Sequence, residues 1–196
     1  MTLDQIPAAI RRDYEVHEWK HAVAVLRTDF PNEYKDIIDL LSQFKLLKSW
    51  ISKGGGNKSE LAESIDHFLS ERGWLEKKFE TAVKVDDHNM ESPTHKVDCY
   101  KNRVALEIEW NNKDPFFDRD LNNFRLLFDL RAISVGVIIT RCDELQDLFN
   151  ELGRGSSYGN STTHLGKLIP RIEGGGGGGC PILVFGIRKR LYKKDR

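Results

Sequence analysis

The chain has 196 residues, 30 of them basic and 30 acidic, with zero formal net charge and 39% hydrophobic side chains. This length bounds one domain, or one with a small appendage. Zero net charge excludes a protein that coats nucleic acid indiscriminately, while leaving room for basic groups gathered on one face. No apolar run reaches the roughly 20 residues that a membrane span needs. Met1 to Arg12 lacks the apolar core of a secretory signal. Cys99, Cys142 and Cys180 are an odd set without metal-ligand spacing and are read as free thiols of a cytoplasmic protein.

Pro31 opens a helix that carries Ile37, Ile38, Leu40, Leu41 and Phe44 at helical spacing. Lys53-Gly54-Gly55-Gly56 breaks the chain. Asn57 with Glu60 then forms a capping-box-like start for a helix with Leu61, Ile65, Phe68 and Leu69 on one stripe, ended by Gly73. Thr81 to Val85 reads as a short strand, and the polar stretch Asp86 to Pro93 as a loop. Val97 to Trp110 reads as a β-hairpin. Asp114-Pro115 marks a break, after which Asp118 caps a helix with Leu121, Phe124, Leu127 and Phe128 facing inward. Ile133 to Thr140 has the continuous apolar character of a buried strand. Asp143 to Leu152 is a short helix closed by Gly153, Arg154 to Ser161 a loop, and Thr162 to Ile172 a helix interrupted at Pro170. Gly174 to Gly179 is read as a flexible loop before the last strand, Ile182 to Ile187, with a DNA-contacting loop as the alternative, since glycine lets backbone approach phosphates or bases closely. The end is basic, with Arg188 and Lys189 leading it. Strand, helix and apolar strand in succession make a βαβ unit, so the fold class is α/β, a mixed central sheet flanked by helices.

The chemistry concentrates on the hairpin. Side chains on a strand alternate between faces. Val104, Leu106, Ile108 and Trp110 therefore share an apolar side, and Ala105, Glu107 and Glu109 share the other. Asp98 on the partner strand adds a third carboxylate. Such a group of acids repels itself without a counter-ion, and a divalent metal with a preference for hard oxygen ligands supplies one. A metal so held polarises a phosphodiester and activates an attacking water.

Asp98 followed nine positions later by Glu107-Ile108-Glu109 on a hairpin, then a helix and a buried strand, resembles the metal-dependent nuclease core written PD-(D/E)xK. Glu71-Arg72-Gly73-Trp74, the run Asp98 to Trp110 and the C-terminal Pro181 to Ile187 look more specifically like the BglII/BstYI group of type II restriction endonucleases. The resemblance covers most of the chain from Asn57 onward. It implies a restriction-endonuclease-like core and Mg2+-dependent, site-specific hydrolysis of double-stranded DNA at a palindromic site by a homodimer. It also implies Asp98 and Glu107 as metal ligands, the carbonyl of Ile108 as a further one, and Glu109 where most of the wider superfamily carries Lys. Val97 stands in place of the usual Pro. Glu71 or Glu76 is a candidate extra carboxylate, and Lys101 or Lys113 a candidate cation. Residues 1–56 are expected to be a helical dimerisation region and 57–196 the catalytic core of one endonuclease domain. Related alternatives are a structure-specific repair or junction nuclease of the same core, or a non-catalytic DNA-binding module.

Other motifs weigh less. His17-Glu18-Trp19-Lys20-His21 matches the zinc-protease pattern H-E-x-x-H, which requires a helix. Its place near the start of the chain argues against that, and the residues after it, His21 to Leu26, are as strand-like as helical. The loop residues Arg154, Ser156, Ser157, Tyr158, Asn160 and Ser161, with Arg188 and Lys189, are candidates for DNA contact, because Arg and Asn suit bidentate reading of bases. The glycine run is not a phosphate-binding loop of the Walker type, since Cys180 follows it where Gly-Lys-Ser/Thr is required. Trp19, Trp50, Trp74 and Trp110 are assigned to core packing.

Overall fold

The computed structural model describes residues 2–53, 58–92, 94–159 and 161–195. In chain order its elements are α1 (Ala8–Asp13), β1 (Tyr14–Trp19), α2 (Ala22–Asp29), α3 (Pro31–Gln43), β2 (Leu46–Leu47), α4 (Lys48–Ser52), α5 (Glu60–Ser70), β3 (Leu75–Lys77), β4 (Thr81–Val85) and β5 (His88–Ser92). There follow β6 (Val97–Lys101), β7 (Val104–Glu109), α6 (Pro115–Asp129), β8 (Val135–Arg141), α7 (Leu145–Glu151), α8 (Leu165–Glu173), β9 (Ile182–Ile187) and β10 (Tyr192–Lys193). The central sheet has six strands in the order β1-β9-β8-β7-β6-β3. β7, β8 and β9 run parallel, and β1, β6 and β3 pair antiparallel at the flanks. The sheet is mixed, as expected.

Both faces of the sheet are covered, which is why the three parallel strands are buried at every position. On one face Val104, Leu106 and Ile108 of β7 and Val137 and Ile139 of β8 pack against residues of α1, α2, α3, α5 and α7. On the other, Ala105, Ile138 and Val184 meet Phe117, Leu121, Phe124 and Leu127 of α6 and Leu165, Leu168 and Ile172 of α8. Gly136 of β8 lets α6 come close: a Cβ there would stand 2.4 Å from the Phe124 ring. The β6–β7 turn places Asn102 and Arg103 at φ 44° and 68°, the left-handed pair that a tight two-residue hairpin requires.

Several sequence expectations change. The stretch read as a polar loop contains β5, which pairs with β4 from Thr81↔Ser92 to Val85↔His88. Its polar side chains hid it because this two-stranded ribbon has no buried face to impose alternation. The helix expected from Asn57 begins at Glu60 with Ser59 as its cap, the Ser59 hydroxyl accepting the Ala62 N–H at 3.2 Å; Asn57 lies outside the described residues. Asp118 is not a cap. α6 starts at Pro115, whose fixed φ suits a first helical turn, and Asp118 instead pairs with Arg171 at 2.8 Å. α8 runs through Pro170 to Glu173. Residues 17–21 are not helical: His17 and Glu18 lie on β1, and His21 turns at φ 58°, which removes the zinc-protease geometry.

The glycine run is the largest correction. It is a hydrogen-bonded turn seated on α6, not a flexible loop. The N–H groups of Gly174, Gly175 and Gly176 donate to Pro170, Ile172 and Arg171 carbonyls. A Cβ on Gly177 would stand 2.4 Å from Ile182 Cδ1, and one on Gly178, at φ 57°, 2.6 Å from Arg125 Cγ. Glycine is there for close approach rather than for freedom. No described helix is long and apolar enough to cross a membrane, and the three cysteines are free and buried.

Gly136→Ala is expected to destabilise the fold by about 1–3 kcal/mol through overpacking against Phe124. The readout is a lower urea midpoint at unchanged m-value. Adding Phe124→Leu should restore part of it, and an unchanged midpoint for the single variant would contradict so close a seating of α6.

Candidate active site

The carboxyl groups gather at the C-terminal end of β7, at one mouth of the sheet. A cleft of about 620 Å³ opens there, lined by Asp98, Ile108 and Glu109 together with residues of the α4–α5 region, the segment after β7 and the 154–158 loop. Asp98 sits where β6 passes beside β7. Its own N–H donates to Glu107 Oε2 at 3.3 Å, and its Oδ2 accepts the N–H of Ile108 at 2.9 Å. The hairpin backbone thus joins Asp98 to Glu107 and holds the Asp98 carboxylate against the strand.

Alternation places Glu107 and Glu109 on the α6 side of the sheet, and that side is covered. Glu107 and Glu109 are each 1% exposed, so they are not a solvated strand face. Above them α6 contributes a fourth acid, Asp120, which is fully buried. Glu109 faces Asp120, whose charge acts on it; it accepts from Asn112 Nδ2 at 2.8 Å and lies 3.4 Å from the Arg119 guanidinium. Arg119 also pairs with Asp120 at 2.8 Å. One Glu107 oxygen, Oε1, and one Asp120 oxygen, Oδ2, are buried without a partner.

Burial of so many acids moves their titration. Glu107 is pushed well above the carboxylate range by burial, and then by the charges of Asp120 and Asp98. Glu109 rises to about 9, from burial first and from Asp120 next, against the pull of Asn112 and Arg119. Asp98 is raised by burial, although the Ile108 N–H, Lys58 and Arg119 pull it down. Asp120 is raised by burial as well, with Glu109 and Arg119 opposing. Without a dication Glu107 and Glu109 hold protons at neutral pH.

The donor set fits a hard divalent cation. Every candidate ligand is an oxygen, two buried carboxyl oxygens lack partners, and the acids outnumber the guanidinium among them. Among the described residues, no three His, Cys, Asp or Glu groups already stand in ligand geometry.

Other predicted residues divide. Glu76 lines the cleft and pairs with Lys96 at 2.9 Å. Glu71 does not reach it; it lies along a separate groove with Phe44 and Phe68. Arg154, Ser157 and Tyr158 line the cleft, with Tyr158 stacked 4.1 Å from Phe149 as part of the core. Ser156 and Ser161 are exposed outside its lining. Asn160 lies outside the described residues. Arg188 is half-buried, and Lys189 pairs with Glu151 at 3.1 Å and donates its backbone N–H to Glu144. Lys101 is drawn away by Asp36, at 2.8 Å, and by the Arg72 carbonyl. Lys113 is outside the cleft lining and bridges to Thr162. Trp74 and Trp110 are core, whereas Trp19 and Trp50 are half-buried.

Sequence reasoning missed Asp120, Arg119, Asn112 and Lys58. Asp120 had a signal: it sits three residues after Phe117 and four before Phe124, on the apolar row of α6, where an acid is out of place.

A family model described as Restriction endonuclease BglII/BglIII matches residues 14–187. No curated protein matches the chain.

Acids raised by burial keep protons in the folded state that the unfolded chain releases. Stability of the metal-free protein should therefore fall as pH rises through the window from the ordinary glutamate value of 4.5 to about 9. The slope approaches about 1.4 kcal/mol per pH unit for each proton retained. Melting temperatures in EDTA between pH 5.5 and 8.5 should decline accordingly, with Glu109→Gln flattening the decline. A melting temperature independent of pH would contradict the buried, protonated cluster.

Proposed function

The chain belongs to the BglII/BglIII family of restriction endonucleases, which cleave DNA by phosphodiester hydrolysis, and from that premise we propose that it is a Mg2+-dependent homodimer acting on a palindromic site through Asp98, Glu107 and Glu109. The observation that supports the site assignment is that Asp98 and Glu109 line one cleft while Glu107, buried behind them, accepts the Asp98 N–H and keeps an unpartnered oxygen. Asp98 and Glu107 would hold the cation, with the Ile108 carbonyl beside them. When bound, magnesium lowers the pKa of water and offsets charge on the phosphate. Glu109, anchored by Asn112 and Arg119, would orient the attacking water. Arg154 and Ser157, on the same cleft, are the loop residues best placed for DNA contact.

A twofold protein dimer matches a twofold DNA site by geometry. The pairing of β1 with β9 supports one endonuclease unit over the whole chain, with the helices before residue 56 available for contact between copies. Free buried thiols agree with a cytoplasmic location.

Incubation of the purified protein with plasmid or phage DNA and magnesium should give discrete fragments sharing one sequence at their cut ends. Asp98→Ala and Glu107→Ala should each reduce cutting at least about 100-fold, while gel-shift binding of the same DNA is largely kept. Cutting that survives both substitutions would refute the site assignment, and ends without a common sequence would refute site specificity.

A further inference from the structure

The cleft floor is acidic and the substrate is a polyanion, so the cations nearest the acids decide how the two meet. β7 offers none: Val104 to Glu109 carries no basic side chain. Arg119 is already committed to Glu109 and Asp120, and its guanidinium stacks 4.2 Å from the Phe116 ring. Lys58 stands differently. It precedes Ser59, the cap of α5, and lines the cleft with Asp98 and Glu109. Its ammonium pairs with Asp66 of α5, and its side chain is 43% exposed. Asp66 in turn accepts the Cys99 thiol at 3.2 Å, and Cys99 is the residue after Asp98. Asp66 therefore ties α5 to β6 and tethers the ammonium close enough to act on the charge of Asp98.

We propose that Lys58 is a catalytic residue of the cleavage reaction, its tethered ammonium binding a non-bridging oxygen of the scissile phosphate beside Asp98. The proposal rests on the assignment of Asp98 and Glu107 as the nuclease site. An ammonium has three donors, so Lys58 keeps Asp66 while it takes the phosphate. In the step it serves, the water oxygen bonds to phosphorus as the bond to the leaving sugar oxygen breaks. The water's proton passes to solvent, the leaving oxygen is protonated from solvent, and Lys58 gives up no proton. Its charge stabilises what accumulates on the phosphate oxygens, and the tether spares it reorganisation. Because it comes from the turn before α5 rather than from the acidic strand, its link to the site is tertiary.

The test uses the full chain and a plasmid that the wild type cuts. Single-turnover cleavage with magnesium is measured for Lys58→Ala, Lys58→Arg and Asp98→Ala, alongside gel-shift binding with calcium in place of magnesium. Lys58→Ala is expected to cleave about 100-fold more slowly at saturating protein, with binding within about threefold of wild type. Lys58→Arg, which keeps the charge, should recover to within about tenfold. Cleavage by Lys58→Ala within threefold of wild type would overturn the proposal. So would a loss confined to DNA affinity, or an arginine variant as slow as the alanine one. Undiminished cutting by Asp98→Ala would instead bring down the site assignment on which the proposal stands.

Discussion

Burial of carboxyl groups beneath α6 is the constraint on which the rest of the molecule turns. Glu107 and Glu109 belong to a parallel strand that must be covered on both faces, yet they project toward a helix that brings another acid, Asp120. Isolated charges in such a place would cost several kcal/mol each. The fold meets this in three ways. Arg119 bridges Glu109 and Asp120, backbone N–H groups of the hairpin reach Asp98 and Glu107, and raised pKa values keep protons on Glu107 and Glu109. A core designed for stability alone would place aliphatic side chains there, as Ala105 and Ile138 do nearby.

That arrangement separates the sheet into two ends with different duties. At the end where β7, β8 and β9 begin, glycines admit close packing: Gly136 under Phe124, and the 174–179 turn against α6. At the other end the strands deliver polar groups, Glu109 beside Thr140, followed by Arg141 buried against the Tyr158 carbonyl. The packed end holds α6 in register, and α6 carries Asp120 and Arg119 to the polar end. Rigidity at one mouth thus sets geometry at the other, as sites that hold a metal and a phosphate demand.

How much of this was legible in the sequence follows from where each signal resides. Strands β7 and β8 and helices α3, α5 and α6 were readable because burial writes period into them: alternation on the hairpin, an unbroken apolar run on β8, and helical stripes elsewhere. β1 and β5 were not readable. β1 is an edge strand with half-buried residues, and β5 pairs only with β4 in a ribbon lacking a buried face. The six glycines misled for a physical reason: composition reports conformational freedom in the unfolded chain, whereas here glycine answers to the crowding of Ile182, Arg125 and Phe128. In the cleft, Asp98 and Glu109 were visible because one hairpin carries both. Lys58, Asn112 and Arg119 reach the same place from three other segments, and no local pattern joins them.

At the proposed site a metal and a proton would compete. A dication taken up there would meet Glu107, whose burial holds a proton on it, so binding would expel that proton and affinity would rise with pH. Arg119 limits the expulsion at Glu109 by pairing with it and with Asp120. Lys58 biases the exposed side of the cluster, lowering the charge cost at Asp98, the one acid of the set that is not fully buried. Two cations thus divide the work by depth. The guanidinium, weakly hydrated and planar, suits the buried pair, and the ammonium, strongly hydrated and held by Asp66, suits the wet rim where a phosphate arrives.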